Sequence, residues 1–129
     1  MIRRLIDTNI LIRLIAEDVP SQQEISRKLF KEIENKKIIG VISILVIHEF
    51  INIAINYYKK ERAETINYIL KLISFKKIEI LEIGKLEVIE IIKNCLDLNV
   101  DFTDAYLLWI KSKEEYEIST FDKRILQNL

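Results

Sequence analysis

Apolar residues recur along the chain with two spacings, one typical of strands and one typical of helices. Short apolar segments predict strands at residues 2–6, 38–42, 77–83 and 117–120. Apolar residues three and four positions apart predict helices at residues 10–16, 21–35, 43–58, 63–75, 86–98 and 104–113. Strands that alternate with helices or helix pairs predict a three-layer α/β/α sandwich with a mainly parallel sheet of four to five strands.

Polar residues mark the expected beginnings of these helices. Ser21 and Glu24 form a capping-box pattern ahead of the second helix, and Ser43 is placed to cap the third. Either Asp101 or Thr103 is suited to cap the last long helix. The helix boundaries are therefore expected close to these positions.

Composition indicates one globular domain over residues 1–129. Half of the residues are apolar and 31% are charged, with only two Gly and one Pro, which is typical of a chain that folds around one core. The 20 basic and 20 acidic side chains balance, so binding to a nucleic acid has to be local or metal-mediated.

Three features favour a cytoplasmic protein that does not enter a membrane. The single Cys95 has no internal disulfide partner and lies in an apolar pattern, so it is expected to be a buried small hydrophobe. The longest strongly apolar run, residues 38–47, is far shorter than the roughly 18 residues that a membrane span needs. The first residues also lack the pattern of a cleaved signal peptide.

Four carboxylates follow or interrupt apolar segments: Asp7, Glu49, Asp104 and Asp122. Ligands of open α/β sheets bind beyond the carboxyl ends of the strands, and Asp7 and Asp122 each follow a predicted strand. Two carboxylates about 4 Å apart repel by roughly 4 kcal/mol at an effective dielectric constant near 20, so a cluster needs a cation. Oxygen ligands without His or Cys favour Mg²⁺ or Mn²⁺.

Each acid also has a purely structural interpretation. Asp7 and Asp122 are placed to cap helices, and Asp104 is placed to interact with a helix dipole. Glu49 lies too far along its helix to cap it, which leaves a solvated helix face as its alternative. The four acids together favour the metal site over four separate structural roles.

The segments Asp7-Thr8-Asn9, Val-Ile-His-Glu49, Asp-Phe-Thr-Asp104-Ala and Thr-Phe-Asp122-Lys-Arg, in this order, resemble a PIN-domain nuclease. More narrowly, the chain resembles the VapC-type toxins of toxin–antitoxin pairs. The resemblance implies a metal-dependent ribonuclease in which the four acids hold Mg²⁺ or Mn²⁺. It also implies Asn9 and Thr120 as supporting groups, a small antitoxin as partner, and a homodimer.

Several assignments stay open at the level of sequence. Asp101 is either a supporting acid of the site or a helix cap, and Glu49 is either a metal ligand or the base that activates water. Arg13 and Arg124 are candidates for binding RNA phosphates, or else ion-pair partners of the acids. A PIN nuclease of RNA processing and a non-catalytic binding module remain alternatives to a toxin.

Overall fold

The architecture is an alternation of short parallel strands and longer helices, seen in a computed structural model that describes residues 1–113 and 117–129. In chain order the elements are β1 (Arg3–Leu5), α1 (Thr8–Ile15), α2 (Pro20–Glu34), β2 (Ile39–Ile42), α3 (Ile44–Asn56), α4 (Arg62–Ile73), β3 (Ile78–Ile80), α5 (Lys85–Asp97), α6 (Phe102–Lys113) and α7 (Lys123–Leu126). The predicted α/β class is confirmed, and the arrangement is consistent with a PIN-like sandwich.

The sheet is parallel, with β2 between β1 and β3. Leu5 pairs with Val41, and Ile42 pairs with Ile80, so the three strands end at one common edge. Asp7 and Ser43 each follow their strand by a short step and begin a helix there. The topology thus directs the starts of α1 and α3 to the same side of the molecule.

A glycine in the central strand allows close packing of the core. A Cβ at Gly40 would lie 2.8 Å from the Cδ1 atoms of Ile33 and Ile78 and 2.9 Å from that of Ile6. All three isoleucines are buried, so they have little space to move away. Gly40 therefore lets α2 and the two outer strands meet at one point.

The predicted strand at residues 117–120 is wrong, and the sheet of the described residues has three strands rather than four or five. Ile118 is the only apolar residue of this segment, whereas a strand buried on two faces needs several. The Thr120 hydroxyl instead accepts a hydrogen bond from the Asp122 backbone N–H at 2.9 Å. This local bond leads the chain into α7 rather than into a sheet.

The capping predictions had mixed outcomes. Ser43 caps α3 as predicted, since its hydroxyl accepts a hydrogen bond from the Leu45 N–H at 3.1 Å. The capping box at Ser21 is wrong because α2 begins at Pro20, whose fixed φ suits the first helical position. Asp101 directly precedes α6, and its carbonyl accepts from the Ala105 N–H at 2.9 Å, which supports Asp101 rather than Thr103 as the cap.

Two further expectations concern Cys95 and membranes. Cys95 is fully buried in the core, as predicted, and burial is the main reason that the pKa of its thiol rises to about 11. No helix within residues 1–113 and 117–129 combines the length and the apolarity needed to cross a membrane.

Candidate active site

Asp7 begins α1 at the carboxyl end of β1. Its Oδ1 accepts a hydrogen bond of 2.7 Å from the Thr8 N–H, so the residue is the N-cap of the helix. The Asp7 side chain is nevertheless exposed at the sheet edge. The side chain of Asn9, the second residue of α1, is exposed as well. Capping engages one carboxylate oxygen and leaves the other oriented for a further ligand or for water.

Asp104 is the most perturbed acid of the predicted set. It lies in the first turn of α6 and is half-buried. Burial raises the pKa of its carboxyl group, and the negative charges of Asp122 and Asp101 raise it further, while Arg124 acts in the opposite direction. Three acids and one arginine therefore share one electrostatic environment.

Asp122 is held by a compact local turn. Its carboxylate accepts a hydrogen bond of 2.8 Å from the Arg124 N–H and caps α7, and its own N–H is bound by Thr120. Thr120 therefore holds the backbone of Asp122 directly, and its role in a metal site stays a prediction. The same turn sets Arg124 beside the acids, since its charge lowers the pKa of Asp104.

Glu49 lies on an exposed face of α3. Its carboxylate has no hydrogen bond or ion pair within the part of the chain that the structure describes, which is the solvated position left open by the sequence. The charges of Asp122, Asp101 and Arg124 are the ones that shift the pKa of Asp104. Among residues 1–113 and 117–129, no three acidic, His or Cys side chains are close enough to hold one metal ion.

The predicted convergence of all four acids is thus only partial in this arrangement. Asp104, Asp122 and Asp101 lie close enough for their charges to interact, whereas Asp7 begins α1 and Glu49 lies on α3. Mutual repulsion opposes a tighter grouping, because fully ionised carboxylates need a compensating cation to approach closely.

Arg13 lies outside this acid cluster. Its guanidinium donates to Gln22 Oε1 at 2.8 Å, to Asp18 Oδ1 at 2.9 Å and to the Tyr58 hydroxyl at 3.1 Å. These contacts tie α1 to the loop that follows it and to the residues just beyond α3. Arg13 therefore has a structural position, and Arg124 is the arginine beside the acids.

Glu82 is an acid at the sheet edge that is not among the acids predicted from the sequence. Its carboxylate accepts from the Ser43 hydroxyl at 2.9 Å and from the Ile44 N–H at 3.1 Å. It lies two residues after β3, in a left-handed backbone conformation with φ of 69°. The predicted strand at residues 77–83 included Glu82 and so hid its position at the strand end, and its contacts assign it to capping α3.

A small cavity of about 90 Å³ lies beside Asp101, between α3, α4 and the start of α6. Its polar lining comes from His48, Asn52, Asn56, Arg62 and Asp101. The His48 ring packs 5.8 Å from that of Phe102. Within the described chain, His48 Nδ1 and Arg62 Nε are buried without a hydrogen-bond partner.

The chain is thus an α/β protein with a carboxylate, that of Asp7, at the edge where such sheets bind their ligands. The model of the PIN domain family matches residues 4–128, so the chain belongs to the PIN-domain family. PIN domains are generally metal-dependent nucleases. No curated protein matches the chain significantly.

Proposed function

We propose that this protein is an Mg²⁺- or Mn²⁺-dependent endoribonuclease that hydrolyses RNA phosphodiester bonds. The observation that carries the proposal is the position of Asp104, which is half-buried and faces the charges of Asp122 and Asp101 beside Arg124. Membership of the PIN family supports the same chemistry.

The donor chemistry of the site fits a hard divalent cation. Asp104 and Asp122 offer only carboxylate oxygens as ligands. Their negative charges repel each other, and a divalent cation offsets this repulsion. Asp7, at the end of β1, and Glu49, on α3, are the two further acids that would complete the ligand set. A bound cation supplies Lewis-acid polarisation of the phosphodiester and makes a nearby water more acidic.

The remaining residues have roles that follow from their positions. Arg124 is exposed beside the acids and suits a non-bridging phosphate oxygen of RNA. Glu49 is solvated, which suits a ligand or a base that accepts a proton from the attacking water. Thr120 holds the turn of Asp122, and Asn9 is a polar group beside Asp7. Direct attack by water leaves 5′-phosphate and 3′-hydroxyl ends.

The finer part of the proposal is that the enzyme is the toxin of a toxin–antitoxin pair, acting in the cytoplasm as a homodimer. The opening Asp7-Thr8-Asn9-Ile-Leu-Ile-Arg13 supports it, because this segment resembles that of VapC-type toxins. Expression in cells should then arrest growth, and Asp104→Asn should not. Rescue by the product of the adjacent gene would identify the antitoxin.

A second candidate is a non-catalytic RNA- or protein-binding module. It is favoured by one observation, that no three potential ligands stand at metal-binding distance among the described residues. A PIN nuclease of RNA processing differs from the toxin only in its RNA target and shares the same site.

The test is incubation of the purified protein with total RNA and with structured RNA in Mg²⁺, Mn²⁺ or EDTA. We expect cleavage with either metal, none in EDTA, and a loss of at least about 100-fold in rate for Asp104→Asn and Asp122→Asn. Glu82→Gln is the matched control. It removes a carboxylate at the same sheet edge, but one whose contacts cap α3. No cleavage by the wild type, or equal cleavage by Asp104→Asn, would refute the assignment.

A further inference from the structure

The turn between α5 and α6 carries the residues that lead into Asp104. Asn99 adopts a left-handed conformation with φ of 52°, and the Val100 N–H donates to the Cys95 carbonyl at 3.2 Å, which is the pattern of a Schellman motif. Asp101 then precedes α6, and its carbonyl accepts from the Ala105 N–H. The path of this turn sets where the first turn of α6, and hence Asp104, lies.

Arg62, at the start of α4, holds both sides of this turn. Its Nη2 donates to the Cys95 carbonyl at 3.1 Å and to the Val100 carbonyl, and its Nη1 lies 3.4 Å from Asp101 Oδ1. The side chain is only 28% exposed. One guanidinium therefore joins the last turn of α5 to Asp101, the residue that precedes α6.

The planar guanidinium suits these three acceptors in a way that an ammonium group does not. It presents donors in a fixed fork, so one side chain can reach two carbonyls and a carboxylate at once. Its Nη1 also reaches the carboxylate of Asp101, whose side chain is 69% exposed, so this contact adds a third and weaker hold on the turn. The same groups act on the Cys95 thiol. Burial is the main cause of its raised pKa, Arg62 lowers that pKa, and the charges of Asp101 and Asp104 raise it.

We propose that Arg62 is a positioning residue of the acidic site: it fixes the α5–α6 turn, so that Asp104 is presented in the geometry that the reaction needs. The inference rests on the proposed nuclease function. It assigns Asp101 to a supporting contact with Arg62 rather than to the substrate.

The experiment compares Arg62→Met and Arg62→Lys with Lys85→Met as a matched control. Lys85 also donates to two backbone carbonyls, those of Phe75 and Ile78 at 2.7 and 2.9 Å, but it lies at the start of α5, away from the acids. Each variant is measured for thermal stability, for kcat and KM of RNA cleavage, and for Mn²⁺ affinity by calorimetry.

We expect Arg62→Met to lower kcat by about 10-fold or more with KM changed by less than about threefold, because a small displacement of a reacting group costs rate rather than substrate binding. Lys85→Met should keep kcat within about threefold at a comparable loss of stability. Arg62→Lys keeps the charge but not the fork, so its kcat should lie between those of Arg62→Met and the wild type.

Equal kcat values for Arg62→Met and Lys85→Met would overturn the inference while leaving the nuclease intact. If Arg62→Met does not fold, Arg62→Lys decides, and a wild-type kcat in that variant contradicts the proposal. A wild type that neither cleaves RNA nor binds Mn²⁺ would instead refute the proposed function itself.

Discussion

At the scale of single residues, the acids combine structural and chemical roles rather than choosing between them. Asp7 and Asp122 each cap a helix through one carboxylate oxygen. Capping fixes the side chain at a helix start, where the helix dipole also favours its negative charge. A cap at the edge of a parallel sheet is therefore a suitable starting point for a metal ligand.

The two roles of Asp7 can be separated by two substitutions. Asp7→Asn keeps an N-cap but loses the charge, so its free energy of unfolding should stay within about 0.5 kcal/mol of the wild type while RNA cleavage is lost. Asp7→Ala removes the cap as well and should cost about 1 kcal/mol. Urea denaturation and the cleavage assay measure the two effects. Full activity in Asp7→Asn would exclude Asp7 from the site.

At the scale of elements, the central strand is the most tightly constrained part of the fold. Gly40 is surrounded by Ile6, Ile33 and Ile78 at distances that leave no space for a methyl group. Because β2 pairs with both other strands, a displacement there is transmitted to every strand end of the site.

Gly40→Ala should therefore destabilise the protein by about 1–3 kcal/mol through overpacking. Ile78→Val removes one of the three crowding methyl groups and is the matched partner in a double-mutant cycle. The double variant should be more stable than the sum of the two single effects predicts, as measured by urea denaturation. Strict additivity, or a Gly40→Ala variant as stable as the wild type, would contradict the packing account.

Local patterns explain which elements the sequence predicts well. The helices were predictable because apolar spacing and caps such as Ser43 act within a few residues, and the edge position of Asp7 follows from parallel topology. The segment at residues 117–120 failed because strand formation depends on a partner strand that no local pattern specifies.

The candidate site was predictable in composition but not in geometry. The acids are visible in the sequence, whereas the position of Glu49 on an exposed face of α3 depends on how that helix is rotated in the fold. Arg62 reaches Asp101 across 39 positions, and Ser43 reaches Glu82 across 39 as well. Contacts of this range arise from tertiary packing, which periodicity does not encode.

At the scale of the whole molecule, positive and negative charges balance, so RNA binding depends on the charges of the local site. The chain has a formal net charge of zero, so no long-range field attracts a polyanion. Arg124 and a divalent cation at the acids are the local sources of positive charge in the proposal.

The stability of the whole protein should report the environment of Asp104. Burial and the charges of Asp122 and Asp101 raise its pKa in the folded state above the unfolded value of about 3.9. Asp104 therefore adds to the free energy of unfolding at a pH below its unfolded pKa. This contribution is lost as the pH rises through its pKa in the folded state.

Asp104→Asn does not titrate, so its free energy of unfolding relative to the wild type should increase between about pH 3 and about pH 7. Chemical denaturation at constant ionic strength and without divalent metal measures this difference. A difference that is flat or decreases over that range would show that Asp104 is not in the environment described.

Calorimetric titration of the purified protein with Mn²⁺ tests most directly whether the four acids act as one site. The wild type should bind Mn²⁺ with a stoichiometry of at least one ion per chain, and Asp7→Asn, Glu49→Gln, Asp104→Asn and Asp122→Asn should each weaken binding by about 10-fold or more. Glu82→Gln should bind as the wild type does. A wild type without Mn²⁺ binding, or wild-type affinity in Asp104→Asn and Asp122→Asn, would contradict a metal-dependent nuclease at this edge of the sheet.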